Sequence, residues 1–342
     1  MTRTHPAAPA DPRSAPALRW GVLGAGGIAS VFTEAVTQHT ESRMVAVGSR
    51  DQDRAEEFAS RHSIPAAHGS YEALVTDPDV EVVYVASPHS EHLEHALLAI
   101  AAGKHVLVEK AFTVNATEAQ QVFDAARAAG VFVMEAMWTR FLPHVVVMRD
   151  VLARREIGDL VGVIADHGQN MGHHPATHRL HDLALAGGAL LDLGVYPVSF
   201  SHDLFGVPDR VSAIGALTET GVDGQVSIAL GFSERQASLH TTLHANTATT
   251  AVVFGTHGRM EIEGRFYAPT RFRVVRDDGT HWTFDGTVDA GMQYEAAEVA
   301  RCVSAGLPES PLMTWQGTLE VMRTMDEVRR RIGLVYPSEA AR

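Results

Sequence analysis

The sequence predicts an α/β protein with two domains: a doubly wound parallel sheet, then an α+β domain with a large, open, mostly antiparallel sheet. Two observations support this prediction. Apolar strand patterns alternate with helical patterns over residues 19–134, which is typical of a parallel sheet with helices on both faces. From Asp159 onward, alternating strands follow one another without helices between them, which indicates antiparallel pairing.

Length and charge bound the domains and the partners. The 342 residues are enough for two hydrophobic cores. We place the domains at residues 18–142 and 143–337, with a C-terminal helix that could pack back on the first domain. The 28 basic and 41 acidic side chains give a net charge of -13, which argues against nucleic acid or an anionic membrane as a partner.

The cysteine content and the first residues predict the cellular setting. The single cysteine, Cys302, excludes an internal disulfide and fits a cytoplasmic protein. Residues 1–17 are rich in Ala and Pro and lack the apolar core of a signal peptide, so we expect a disordered segment. We find no apolar run of about 18 residues and therefore expect no membrane span.

A glycine-rich turn joins the first predicted strand, residues 18–23, to the first helix. Its sequence matches G-x-G-x-x-A in the strand–turn–helix context that a dinucleotide-binding turn requires. The glycines allow a tight turn and a close approach of pyrophosphate, and the helix N-terminus attracts the phosphates. A turn that binds no ligand is the alternative. The predicted cofactor contacts are Gly24, Gly26, Gly27, Ile28 and Ala29.

The tip of the second strand, residues 44–48, indicates which dinucleotide binds. NAD-binding folds usually place an acidic residue there for the ribose hydroxyl. Here Ser49 and Arg50 follow the strand, and Arg54 lies four residues further on. Because guanidinium groups bind phosphate well, we predict that NADP(H) is preferred over NAD(H). In the alternative, Asp51 turns inward and Arg50 is solvated.

Two further strand tips carry candidate cofactor contacts. The strand at residues 80–85 is followed by a polar segment that contains His89 and His92. Either histidine could line a nicotinamide pocket, or it could cap a helix or be solvated. The strand at residues 106–108 ends in a Glu-Lys pair, which is costly to bury unless it is paired or used. We predict cofactor contacts from Ser87, Pro88, His89, His92, Glu109 and Lys110, and a catalytic role for Lys110.

Residues 187–197 are the most informative segment of the second half. A helix is predicted to begin near Leu190 or Asp192, which would place Asp192 and Tyr196 on one face. A phenol with a pKa of about 10 is a poor base, but a nearby ammonium favours its phenolate form. We therefore choose Tyr196 for proton transfer with Lys110 as its electrostatic partner, and Lys110 itself as the close second. A helix-terminal Asp and a core Tyr are the alternative.

Substrate contacts are harder to predict. Trp138 and Arg140 could bind a polyol, or they could pack between domains. His178 and Phe266 are further candidates. His178 belongs to a histidine-rich segment with His167, His173, His174 and His181, for which we expect a pocket wall or a solvated loop. A metal site is not expected, because Pro175 and the poor helical pattern weaken the His174–His178 spacing.

Taken in order, these motifs resemble the Gfo/Idh/MocA family of oxidoreductases over roughly residues 19–337. The resemblance implies a Rossmann domain and an α+β domain whose open sheet often forms a homodimer. It implies oxidation of an aldose, such as D-xylose or D-glucose, or of a trans-dihydrodiol. The segments that carry it are residues 24–29, 109–110, 135–143, 187–197 and 291–304.

The same resemblance assigns roles to individual residues. It implies that Lys110 is the catalytic lysine and that Asp192 and Tyr196 act with it. It also implies that Ser49, Arg50 and Arg54 contact the adenosine phosphate of NADP.

One residue departs from the family pattern: Ala111 stands where a proline usually follows the lysine. Because a cis bond before a non-proline residue is rare, we expect the Lys110–Ala111 bond to be trans or strained. Two other functions stay open: an NAD-dependent cyclitol dehydrogenase of the same family, and a cofactor-binding regulator without catalytic activity. Intact Lys110, Asp192 and Tyr196 disfavour the regulator.

Overall fold

The computed structural model of the protein describes residues 9–175 and 177–340. Within them lie fourteen strands. The strands are β1 (Arg19–Leu23), β2 (Arg43–Gly48), β3 (Ala66–His68), β4 (Val82–Val85), β5 (His105–Glu109), β6 (Val133–Ala136), β7 (Leu160–Gly168), β8 (Arg210–Leu217), β9 (Asp223–Phe232), β10 (Arg235–Thr242), β11 (Ala251–Gly255), β12 (Gly258–Ile262), β13 (Arg271–Arg276) and β14 (His281–Asp285).

The same described residues form ten α-helices, joined in places by short 3₁₀ turns. The helices are α1 (Gly27–His39), α2 (Gln52–His62), α3 (Tyr71–Thr76), α4 (His92–Ala101), α5 (Ala116–Ala129), α6 (Pro143–Ala153), α7 (Val195–Phe205), α8 (Gln293–Ser304), α9 (Trp315–Ile332) and α10 (Pro337–Ala340). Helix α5 begins after Asn115, which accepts a hydrogen bond from Glu118 N, and ends at Gly130 with φ of 66°.

The chain divides into two compact units. The parallel-sheet unit contains Ala10–Trp138 and Ala290–Met322, and the mixed-sheet unit contains Thr139–Asp289 and the residues from Arg323 onward. The predicted fold class is confirmed, because one unit holds a parallel sheet and the other a large, mostly antiparallel sheet. The first boundary lies near residue 142. Residues 290–322, which include the start of the C-terminal helix that could pack back on the first domain, group with the parallel sheet.

Specific contacts hold residues 290–322 in the parallel-sheet unit. Trp315 Nε1 donates a hydrogen bond to Val133 O (2.9 Å), and its ring stacks on Phe123 at 5.3 Å between centroids. Thr318 Oγ1 donates to Glu135 Oε2 (3.0 Å). These partners lie more than 170 residues earlier in the chain, which is why a continuous second domain was the simpler prediction.

The parallel sheet has the strand order β3-β2-β1-β4-β5-β6, with every neighbouring pair parallel. The order reverses where β1 meets β4, so a ligand crevice is expected beyond the carboxyl ends of these strands. That edge collects the residues that directly follow β1, β2, β4 and β5, which are Gly24, Ser49, Ala86 and Lys110.

The mixed sheet has the order β14-β13-β12-β11-β7-β10-β9-β8. Only β7 and β10 pair in parallel among these neighbours in the described residues. Three strands of this sheet were not predicted, namely β8, β12 and β14, and neither was β3 of the parallel sheet. The residues of β8 are mostly exposed, so this edge strand lacks the alternation of apolar and polar residues that marks a half-buried strand.

The N-terminal segment is partly ordered. Residues Pro12–Ser14 form a 3₁₀ turn, Pro12 and Ala15 are buried, and Arg301 Nη2 donates a hydrogen bond to Asp11 O (2.9 Å). The expectation of disorder is therefore wrong for this part of residues 1–17, because α8 holds the turn. Residues 1–8, which shared that expectation, lie outside the described residues.

One helical stretch of the described residues, Leu183–Phe205, meets the length and hydropathy of a membrane span, with 23 residues and a mean hydropathy of 1.5. Asp192 and three glycines interrupt the stretch, so its sequence does not form a continuous apolar run. Inside the protein, 83% of its most apolar window is buried, as in a core helix. The stretch carries both Asp192 and Tyr196.

Candidate active site

The glycine turn has the shape that a dinucleotide phosphate group needs. Gly24 has φ of 104°, and a Cβ atom there would lie 3.1 Å from Ala86 O. A Cβ atom at Gly26 or Gly27 would meet no atom within 4 Å, so space is open in front of the turn. Helix α1 begins at Gly27 and directs its N-terminus to that space, whereas Ile28 is 40% exposed and Ala29 is buried. This turn fits a pyrophosphate.

A pocket of about 680 Å³ lies beside the tip of β2. Arg50 lines it and forms an ion pair with Glu91, with 3.1 Å between Nη1 and Oε1. The Arg50 side chain is 71% exposed, whereas Ser49 is buried and accepts a hydrogen bond from Asp51 N (3.3 Å). Asp51 caps α2 by accepting a hydrogen bond from Arg54 N (3.2 Å). Three residues were predicted to contact the cofactor at this tip: Ser49, Arg50 and Arg54. Of these three, Arg50 lines the pocket.

Sequence reasoning did not single out several other residues of this pocket. Tyr71, Glu91 and His95 line it together with Arg50. Burial raises the pKa of Tyr71, while the nearby positive charges of Arg50 and Arg54 act in the opposite direction. Tyr71 begins α3, a helix of six residues whose short pattern gave no signal in the sequence.

The predicted histidines hold the backbone around Lys110. His92 is fully buried, with Nδ1 3.0 Å from Ala111 O and Nε2 2.9 Å from Ser87 O. Burial lowers its pKa to about 4, while the carbonyl oxygens that face both ring nitrogens act in the opposite direction. His89 is also buried, and its Nε2 lies 3.2 Å from Lys110 O. The structure thus gives both rings a bracing role that the sequence analysis did not consider.

Lys110 directly follows β5, as predicted. The Lys110–Ala111 peptide bond is cis, so of the two expected alternatives, trans or strained, the trans bond is wrong. His92 contacts the carbonyl groups on the far side of this bond, Ala111 O and Phe112 O, so these surroundings rather than a proline define the local backbone. Glu109 is buried, accepts a hydrogen bond from the Tyr84 hydroxyl, and also accepts one from Lys110 N (3.2 Å).

In the mixed-sheet unit, a helix begins close to the predicted position. Residues Leu190–Gly194 form a π-helical segment that continues directly into α7. Asp223 Oδ2 accepts a hydrogen bond from Leu190 N (2.6 Å) and so fixes the start of the segment. Asp223 is fully buried, and burial raises its pKa to about 7. Gly188, with φ of 121°, leaves room for this carboxyl, since a Cβ atom there would lie 2.0 Å from Asp223 Oδ1.

Asp192 and Tyr196 are both nearly buried, at 6% and 7% exposure. Asp192 Oδ1 accepts hydrogen bonds from both terminal nitrogens of Arg179, each at 3.1 Å. The Tyr196 ring packs against Tyr267 and His167, with centroids 4.5 and 5.3 Å away. One continuous helix therefore carries both Asp192, which is paired with Arg179, and the Tyr196 phenol, which lies in an aromatic cluster.

A pocket of about 490 Å³ adjoins that aromatic cluster. His167 and Tyr267, the two rings that touch Tyr196, both line it. Other lining residues are Gln169, Asn170, Asn246 and Arg265. His167, His173 and His174 were among the predicted pocket candidates and line it. Arg265, Tyr267 and Asn246 were missed because they come from turns far along the sequence.

The predicted substrate residues lie in different surroundings. Phe266 is 1% exposed and packs in the core against Phe200, so its neighbours Arg265 and Tyr267 line the pocket instead. His178 stacks on His174 with 4.0 Å between ring centroids, and only His174 of this pair lines the pocket.

Trp138 and Arg140 lie in the 3₁₀ turn Trp138–Phe141. Trp138 is half-buried. Arg140 Nη2 donates to Ser199 Oγ (3.2 Å), which ties the turn to α7 and favours the structural alternative for this arginine.

No metal centre is formed by the described side chains. Across residues 9–175 and 177–340, no group of three or more His, Cys, Asp or Glu residues could hold a metal ion. Instead, the structure groups the glycine turn, Arg50 and Lys110 at one sheet edge of the parallel-sheet unit. It groups Asp192, Tyr196 and the polar pocket in the mixed-sheet unit.

Family models match both halves of the chain. One, described as an oxidoreductase family with an NAD-binding Rossmann fold, matches residues 18–137. The other, described as the GFO/IDH/MocA C-terminal domain, matches residues 145–261. Together they cover the glycine turn, Lys110, Asp192 and Tyr196.

Curated relatives match over nearly their whole length. The chain is 40% identical over 336 residues to trans-1,2-dihydrobenzene-1,2-diol dehydrogenase of Bos taurus, covering 94% of this chain and 99% of that protein. It is 41% identical over 338 residues to the Homo sapiens enzyme of the same name, with the same coverage of 94% and 99%.

Solved structures share the fold. The 3-ketoreductase KijD10 from Actinomadura kijaniata, in complex with NADP and TDP-benzene, is 26% identical, with a TM-score of 0.82 over 93% of this chain and 98% of that one. A levoglucosan dehydrogenase in complex with NADH and levoglucosan is 19% identical, with a TM-score of 0.84 over 93% of this chain and 97% of that one, a likeness that shows the fold alone. As its motifs indicated, the chain belongs to the Gfo/Idh/MocA family of oxidoreductases.

Proposed function

We propose that this oxidoreductase is an NADP(H)-dependent dehydrogenase of an aldose or a trans-dihydrodiol. The single observation that carries the proposal is the Tyr196 phenol, which shares a helix with Asp192 and packs against two rings that line a polar pocket. The similarity of the chain to trans-1,2-dihydrobenzene-1,2-diol dehydrogenases supports a substrate with two neighbouring hydroxyl groups.

The residues of the chain divide the work of such a reaction. The turn at Gly24–Gly27 and the tip at Arg50 would hold the cofactor, whose nicotinamide supplies or accepts the hydride. We assign to Tyr196 the transfer of the hydroxyl proton, and to Lys110 the ammonium charge that a phenolate needs. Asp192, fixed by Arg179, would hold a substrate hydroxyl.

A substrate screen tests the proposed reaction directly. The full chain is incubated with NADP⁺ or NAD⁺ and with D-xylose, D-glucose, trans-dihydrodiols and cyclitols, and cofactor reduction is followed at 340 nm. We expect reduction of NADP⁺ with an aldose or a dihydrodiol. Activity only with cyclitols and NAD⁺ would favour the cyclitol dehydrogenase, and no turnover with any of these compounds would favour the regulator.

Arg50→Ala is predicted to weaken NADPH binding by about tenfold to a hundredfold, because a guanidinium–phosphate hydrogen bond is lost. NADH lacks that phosphate, so its Kd should change by less than about threefold. Isothermal titration calorimetry measures both. Arg43→Ala, at the opposite end of β2, is the matched control and should change neither Kd. Equal losses for the two cofactors, or tighter binding of NADH than NADPH to the natural sequence, would contradict the NADP preference.

We also propose that the open face of the mixed sheet pairs with a second copy of the chain. Ile164, Ser238 and Ala229 lie side by side on three neighbouring strands, and all three are exposed. Ile214, 81% exposed, lies on the same face in the next row. Two large exposed apolar side chains, Ile164 and Ile214, with small residues such as Ala229 and Ser238 between them, favour this face as an interface. Light scattering should give a molar mass of twice that of the chain. The Ile164→Lys variant should have the molar mass of a single chain.

A further inference from the structure

The pocket beside Tyr196 is unusual for so acidic a chain. The protein carries 41 acidic against 28 basic residues. Among the described residues that line this pocket, none is acidic, and the one guanidinium is that of Arg265. The rest of the wall offers amide, hydroxyl and imidazole groups, including Gln169, Asn170 and Asn246. Such a wall favours a ligand with negatively charged oxygen atoms.

Two carboxylates lie near the pocket wall: Asp166 accepts hydrogen bonds from Thr249 N and Thr250 N, and the charge of Asp192 reaches Tyr267. Asp192 is paired with Arg179 through two hydrogen bonds of 3.1 Å. Arg265, in contrast, makes no ion pair with any carboxylate in residues 9–175 or 177–340, although its side chain contacts the Tyr267 hydroxyl. Desolvation and the neighbouring imidazoles lower the pKa of His174, which disfavours its charged form.

The backbone around Arg265 is held in place. Arg265 has φ of 49°, a left-handed conformation that is uncommon for a non-glycine residue. Phe266 N donates a hydrogen bond to Thr249 O (3.0 Å), and the Phe266 side chain is buried. Thr139 Oγ1 donates to Tyr267 O (2.7 Å). The surrounding contacts therefore fix the backbone from which the exposed Arg265 side chain reaches the pocket.

We propose that Arg265, with the amide and imidazole donors beside it, forms a subsite for a carboxylate or phosphate group on a polyhydroxylated substrate. This inference rests on the proposed dehydrogenase function and adds the substrate's charge to it. Tyr267 lies between Arg265 and Tyr196, since it contacts both. The anionic group would thus bind away from the carbon that reacts, and it would serve recognition rather than chemistry.

Three sugars with the same anomeric hydroxyl test this subsite: D-glucose, D-glucuronate and D-glucose 6-phosphate. We expect kcat/KM with at least one anionic sugar to exceed that with D-glucose by about tenfold or more, mainly through KM. Arg265→Gln should remove that advantage and leave kcat/KM for D-glucose within about twofold. Arg273→Gln, an exposed arginine of β13 outside the pocket, is the matched control. Carboxylate and phosphate responses separate the two possible sources of the charge.

Calorimetry without turnover separates failure of the subsite from failure of the proposed reaction. Binding of D-glucuronate or D-glucose 6-phosphate that Arg265→Gln weakens about tenfold would support the subsite even if no sugar were oxidised. Turnover of neutral sugars without any anionic advantage would overturn it. So would an anionic advantage that survives in Arg265→Gln.

Discussion

Tyr196→Phe is expected to lower kcat by about 10²- to 10⁴-fold, the usual effect of removing a group that transfers a proton in the rate-limiting step. The substitution removes the hydroxyl alone. The ring keeps its contacts with His167 and Tyr267, so the fold of the pocket should persist. Stopped-flow and steady-state kinetics with the best substrate of the screen measure the loss, and NADPH binding should stay within about twofold.

Lys110→Met tests the second half of the same assignment and should lower kcat over the same range. Met keeps the length of the side chain and removes the ammonium charge that would favour the Tyr196 phenolate. The control variant is Tyr294→Phe, which removes a phenol hydroxyl from α8 and should leave turnover unchanged. Near-normal turnover in both Tyr196→Phe and Lys110→Met would show that the proton-transfer assignment is wrong.

The sequence was sufficient to predict which residues lie at the carboxyl-terminal edge of the parallel sheet, because the carboxyl ends of parallel strands meet at one place. Once β1, β2, β4 and β5 are recognised from their apolar runs, Gly24, Arg50 and Lys110 must follow them at the same edge. The helix with Asp192 and Tyr196 was predictable for a similar reason, because its spacing is local. Its π-helical start was not, since Asp223, more than thirty residues later, holds Leu190.

Features that depend on distant contacts escaped prediction. His92 contacts Ala111 O, and the local sequence around Ala111, which favoured a trans bond, holds no sign of that contact. Arg265 and Tyr267 reach the pocket from a turn that is fixed by Thr249 and Thr139. Propensity and periodicity describe neighbours in the chain, so a pocket built from several turns leaves no pattern that they could detect.

Asp223→Asn should remove a pH dependence from the stability of the protein. Burial raises the pKa of Asp223 from 3.8 to about 7, so the folded protein holds a proton that the unfolded chain releases above pH 4. The resulting stabilisation is complete below pH 4 and is lost as the pH rises through 7. Between pH 5 and pH 8, the free energy of unfolding should therefore fall by roughly 2–3 kcal/mol more in the natural sequence than in Asp223→Asn.

Urea titrations at pH 5 and pH 8 measure this difference, and Asp53→Asn, which neutralises an exposed carboxylate of α2, is the control. Asn resembles the protonated carboxyl that accepts the Leu190 hydrogen bond, so the variant should match the natural protein at pH 5. At pH 8 the variant should be the more stable of the two, because it has no charge to bury. A variant that is less stable at both pH values would mean that the carboxylate is ionised in the fold and that Arg329, whose charge lowers the Asp223 pKa, outweighs burial.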